Sequence, residues 1–96
     1  MLIEAPYSTG DTVSLKLTSG EEVIGRLEEE TDNIVRLNKP LMLTASQQGV
    51  GLAPFMFTVN PDSKFTLNKN TVMCIVKTEK DMASQYLQNT SGIQVT

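Results

Sequence analysis

The chain has 96 residues, of which 40% are hydrophobic and 20% charged; eight basic against eleven acidic side chains give a formal charge of −3. That is the composition of one folded domain, although a chain this short buries only about 60–65% of the surface its unfolded form exposes. The single cysteine, Cys74, excludes an intrachain disulfide, the absence of histidine removes the commonest metal ligand and general base, and the net charge argues against a broad electrostatic grip on nucleic acid.

Residues 1–11 carry the turn formers Pro6, Ser8, Thr9 and Gly10 and read as an irregular segment. With no basic region and no long apolar stretch at its start, and no apolar run near the roughly 20 residues that span a bilayer, the chain is expected in the cytoplasm and away from membranes. Val13-Ser14-Leu15-Lys16-Leu17 alternates with period two, the pattern of a half-buried strand. Thr18-Ser19-Gly20-Glu21 is a polar turn with glycine where positive φ would be cheap. Glu22–Glu28 is a second strand with Val23, Gly25 and Leu27 on one face, and it completes a hairpin. A glycine inside a strand marks a sharp bend or a close backbone approach.

Glu28-Glu29-Glu30 followed by Thr31-Asp32-Asn33 reads as a solvated turn. Ile34–Leu37 opens a third strand, with Val35 and Leu37 inward and Arg36 outward. Pro40 interrupts it, so Leu41-Met42-Leu43 is an edge continuation or lies past a bulge. Thr44 to Pro54, with Gln47, Gln48, Gly49 and Gly51, reads as a long loop. Phe55–Val59 is the predicted fourth strand, ended by the turn Asn60–Ser63, and Lys64–Leu67 extends or repeats it. Asn68-Lys69-Asn70 is a tight turn before a fifth strand, Thr71–Val76. Thr78-Glu79-Lys80-Asp81 has the spacing of a capping box and predicts a helix of two to three turns over residues 78–88, with Met82, Tyr86 and Leu87 on one side. Residues 89–96 are a polar tail expected to fray.

Residues 12–77 thus predict an all-β domain, a small, strongly bent, five-stranded antiparallel barrel followed by a short helix. Alternation fails in the fourth and fifth strands, where Phe55, Met56, Phe57 and Val59, then Val72, Met73, Cys74, Ile75 and Val76, are apolar on both faces. A barrel of this length cannot cover both faces of two strands, and two helical turns cover one face of one strand at most. Six of these residues, Phe55, Phe57, Val59, Val72, Met73 and Ile75, are therefore the expected interface of an obligate homo-oligomer, and a head-to-tail contact repeated by rotation closes into a ring.

Residues 12–37 resemble the first motif of the Sm-like family, which includes the LSm proteins and the bacterial Hfq group. The order is alternating Val13, Leu15 and Leu17, then Gly20, Val23, Gly25, Leu27, Asp32, Val35 and Leu37, with the step from Leu27 to Asp32 one residue longer than the usual pattern. Leu67-Asn68-Lys69-Asn70-Thr71-Val72 stands where the family has its second motif, a hydrophobic, a basic residue and a glycine before the last strand. The resemblance implies an SH3-like barrel in a ring of five to seven subunits, the fourth strand of one subunit pairing with the fifth of the next. The family's helix precedes the barrel, whereas the better helix here is C-terminal.

Family members bind single-stranded, often uridine-rich RNA around the pore of the ring. Carried over, that implies a site at Asp32, Ile34, Arg36, Asn68, Lys69 and Asn70. The base-stacking position is Ile34 instead of an aromatic or histidine, the asparagine position is Arg36, and the basic position is Asn68 with Lys69 beside it. Arg36 can stack or hold phosphate, and a ring multiplies a weak subunit site. The expected function is a homo-oligomeric ring that binds single-stranded RNA weakly, in the manner of an RNA chaperone. The alternative is an assembly or adaptor ring that has lost the RNA site and holds a protein through its helix or the 44–54 loop. No catalytic set, metal cluster or cofactor motif is evident: Cys74 lies inside an apolar strand, and adjacent carboxylates on a strand point to opposite faces. A binding module, not an enzyme, is expected.

Overall fold

The computed structural model describes residues 6–90; the irregular reading of Met1–Ala5 and the tail reading of 91–96 lie outside the described residues. In chain order the elements are β1 (Thr12–Leu17), β2 (Glu22–Glu30), β3 (Ile34–Ser46), β4 (Gly49–Pro54), β5 (Lys64–Asn68), β6 (Val72–Lys77) and α1 (Lys80–Thr90), with a 3-10 turn at Lys69–Thr71. All pairings are antiparallel, in the order β4-β3-β2-β1-β6, with β5 on β3. The result is the expected strongly bent antiparallel sheet with a short C-terminal helix, built from six strands instead of five.

The period-two pattern of β1 and β2 places Val13, Leu15, Leu17, Val23 and Leu27 in the core, where Val35 and Leu37 of β3 join them. Each such side chain contributes about 1.5–3 kcal/mol by leaving water. Gly20 closes the first hairpin at φ 108, the left-handed conformation that a side chain resists. Tyr7, from the segment before β1, packs against this core beside Phe55, Leu67, Val72 and Ile75.

The sheet bends where β3 passes Gly25. Ile24 faces Leu41 and Arg26 faces Asn38, so Lys39 and Pro40 together stand opposite the single residue Gly25. Lys39 takes a positive φ of 50, and β3 continues past Pro40 to Ser46. This is the bulge that Pro40 signalled. A Cβ on Gly25 would stand 3.4 Å from Leu37 Cβ, Leu37 Cδ1 and Pro40 Cα, the close approach that a glycine in a strand predicts. Tyr86 of α1, almost fully buried, places its hydroxyl 2.9 Å from the Asn38 carbonyl and 2.8 Å from that of Lys39. Lys39 Nζ donates to the carbonyl of Thr90 at 2.9 Å. The helix is thereby fastened to the bend.

Three readings of the chain are corrected. Residues 44–54 are not a loop: Leu41–Ser46 of β3 and β4 form a hairpin in continuous register, from Leu41 opposite Pro54 to Ser46 opposite Gly49. Residues 55–59 are not a strand. They lie in an irregular excursion, 55–63, between β4 and β5, and both of those strands pair with β3 in the same direction. Leu41 faces Pro54, so an unbroken strand would set Phe57 opposite Asn38; Lys64 stands there instead, seven residues later. Apolarity on both faces misled here because Phe55 faces the core while Phe57 is 79% exposed. Finally, the helix cap is Glu79, whose carboxylate accepts from the amides of Asp81 and Met82 at 3.0 and 3.1 Å. The Thr78 hydroxyl lies 2.8 Å from that of Ser14 instead. The helix runs to Thr90.

Candidate nucleic-acid interface

The residues carried over from the family motifs come together at one end of the sheet. Ile34 faces Asn68 across the β3–β5 pair, Arg36 faces Thr66, and the Lys69 amide donates to the Asn33 carbonyl at 2.8 Å. Asn68 caps the 3-10 turn, its side-chain oxygen accepting from the Asn70 amide at 3.0 Å. Asp32, Asn68 and Asn70 are exposed, and Ile34 and Arg36 are half-buried on the face of β3 opposite the core residues Val35 and Leu37. The 31–33 turn is held by the Thr31 hydroxyl, which accepts from the amides of Asn33 and Ile34, both at 3.1 Å.

The glutamate run reads differently in three dimensions. Glu28, Glu29 and Glu30 are the end of β2, not a turn. Each meets one base: Glu28 stands 3.8 Å from Lys64 Nζ, Glu29 pairs with Arg36, its partner across the strands, and Glu30 stands 2.7 Å from Lys69 Nζ. Arg36 Nε also donates to the Thr66 hydroxyl at 3.2 Å. Tyr7 donates its hydroxyl to Glu30 at 3.0 Å, a contact invisible to the sequence reading because the two residues are far apart along the chain. Burial pushes the Glu30 carboxyl up, but the hydrogen bonds from Lys69 and Tyr7 and the lysine's charge outweigh it and hold Glu30 below the usual range. Burial and the neighbouring Glu30 push the Tyr7 hydroxyl up to about 12.

The six residues expected at a subunit interface divide evenly. Phe55, Val72 and Ile75 are half-buried and pack against the subunit's own core. Phe57, Val59 and Met73 are exposed, as are Val76 and Cys74. Among the described residues the outer edges of β5 and β6 have no strand partner.

An apolar recess of about 400 Å³ opens between the 55–63 excursion, the bend in β3 and the end of α1, with Pro40, Pro54, Phe55, Phe57, Val59 and Phe65 in its wall. Phe55 and Phe65 meet edge to face with ring centroids 6.1 Å apart. Among the described residues no cluster of histidine, cysteine or carboxylate side chains could hold a metal ion, and no helix is long and apolar enough to cross a membrane.

No known family's sequence profile matches the chain, and no curated protein matches it. Solved structures do. A heptameric archaeal Sm protein, described for its implications for the eukaryotic snRNP core, superposes with a TM-score of 0.52 at 18% identity, over 75% of this chain and 91% of that one. The SmAP1 heptamer of P. aerophilum superposes with a TM-score of 0.53 at 17% identity, over 76% of this chain and 85% of that one. At such low identity the likeness is one of architecture, and the chain has the Sm-like fold.

Proposed function

We propose that this chain is the subunit of an Sm-like homo-oligomeric ring that binds single-stranded RNA weakly at its pore. The observation that carries the ring is the pair of unpartnered strand edges, β5 and β6, at the two ends of one sheet. Met73 at 65% and Val76 at 57% exposure sit on the second of them. Unpaired edges carrying large apolar side chains are what soluble proteins cover. Pairing β5 of one subunit with β6 of the next would cover both and repeat by rotation. The heptameric state of the two Sm structures supports that closure.

The RNA reading rests on the convergence of Asp32, Ile34, Arg36, Asn68, Lys69 and Asn70 at the β3–β5 end, where two cations, each held by a glutamate, stand beside two side-chain amides. With Ile34 at the stacking position, aromatic stacking worth about 1–3 kcal/mol per base is missing. Binding is therefore weak per subunit and depends on several copies around one strand. The test is light scattering followed by fluorescence polarisation with oligo-U and oligo-A at low salt. A ring whose binding falls at least about tenfold in R36A/K69A supports the proposal. A monomer at micromolar concentration overturns the ring.

The second reading, an adaptor ring that holds a protein, is favoured by the apolar recess and by Phe57 standing in solvent at its rim. A ring that persists with no RNA affinity selects it.

A further inference from the structure

The sequence places three glutamates in succession, and the fold gives each of them one cation of the candidate RNA site or its margin: Glu28 to Lys64, Glu29 to Arg36, Glu30 to Lys69. The register of β2 against β3 shifts between Leu27 and Glu29, which leaves Glu28 as the extra residue while Glu29 stands opposite Arg36 and Glu30 opposite Val35; the three pairs are made separately and leave none of these bases without a carboxylate. We propose that Glu28, Glu29 and Glu30 are a built-in competitor for the phosphate backbone, and that they set the affinity of the ring for single-stranded RNA. The inference rests on the RNA-binding reading above and assigns its regulation to residues outside the family motifs.

A phosphate that approaches Arg36 or Lys69 must displace a carboxylate already in place, and that carboxylate is then left beside the incoming anion. Arg36 is further fixed by Thr66, and Glu30 by Tyr7, so neither partner is free to swing away without losing a second hydrogen bond. Half-exposed pairs of this kind are individually weak. A ligand that engages several subunits therefore overcomes them cumulatively, whereas a short oligonucleotide touching one subunit does not. The device discriminates by length and suppresses adventitious binding of small anions.

The experiment compares oligo-U binding by the wild-type ring, by E28Q/E29Q/E30Q, and by E21Q/E22Q/D81N. The last removes the same number of charges from residues outside these three pairs. Glutamine keeps the shape of glutamate and still accepts from Tyr7. The expected result is affinity about tenfold tighter in E28Q/E29Q/E30Q and less than about twofold changed in the control, with the gain abolished when R36A/K69A is added. Equal gains in both variants would overturn the proposal and assign the effect to net charge. Wild-type binding unchanged by E28Q/E29Q/E30Q would overturn the competitor and leave the RNA site standing. No binding by any of the three proteins would overturn the RNA site itself. Melting and light scattering verify that each ring is intact, and E29Q/E30Q carries the same comparison should the triple variant not assemble.

Discussion

Tyr86 places one hydroxyl between the carbonyls of Asn38 and Lys39, at the point where β3 leaves regular pairing and those carbonyls need a donor. Burial pushes its pKa up, as it must for a phenol under the helix. Tyr86→Phe leaves both acceptors without that donor while keeping the ring's packing, and we expect a loss of about 1–2 kcal/mol in urea unfolding. A variant as stable as wild type would mean that water replaces the hydroxyl at no cost. Glu30 makes a pH prediction at the same scale. Its folded pKa is depressed, so its contribution to stability is present at neutral pH and lost as pH falls through the depressed value, beneath the ordinary glutamate range. E30Q should therefore lose less stability than wild type between pH 7 and pH 3, read by thermal melts. Tyr7 works in the other direction: its pKa is raised, so its contribution is complete below about pH 10 and disappears as pH rises towards about 12.

Among the elements, β4 and β5 are two halves of one strand parted by an excursion. Removing residues 57–63 would join Met56 to Lys64 and restore the register that β3 already offers. We expect that deletion to keep the fold and to cost no more than about 1 kcal/mol, since it removes exposed Phe57 and the weak Lys39–Asp62 pair but spares Phe55. Circular dichroism and a thermal melt check it, and an unfolded product would give the excursion a structural role. The same element shows where sequence reasoning succeeds and stops. Strands β1 and β2, the bend at Gly25 and the Asn68–Asn70 turn were legible because each depends on local alternation or local turn chemistry. The hairpin arm β4 was not, because Gly49, Val50 and Gly51 are exposed and carry no hydrophobic period. The excursion was misread because two-sided apolarity does not say whether a second face meets a neighbour, a core or water. The pairing of the glutamate run needed the register of β2 against β3 and β5, which no single segment contains.

For the whole molecule, the question is how much of the stability of one subunit belongs to its neighbours. If β5 and β6 close a ring, folding is linked to assembly, and the melting temperature rises with protein concentration. We expect a measurable rise between about 1 µM and about 100 µM of subunit, abolished in M73D, whose carboxylate would be buried against the adjoining copy. A melting temperature independent of concentration, together with a monomeric mass, would remove the shared edge. The location of the candidate site was legible at this scale from the family motifs, because Asp32 and Asn68 belong to turns that the sheet brings side by side. Its charge balance was not, since the net charge of −3 conceals that three acids and three bases of this region neutralise one another locally.

The tip of the β3–β4 hairpin has a practical consequence. Thr44–Gly51 is exposed throughout, lies outside the apolar cluster and turns at Gly49 with φ 121. Backbone in such a place tolerates insertion, because nothing packed depends on its length. A short epitope or fluorescent label grafted between Gln47 and Gln48 would leave the strand margins and the basic end of the sheet untouched, giving a handle for counting copies in a single particle.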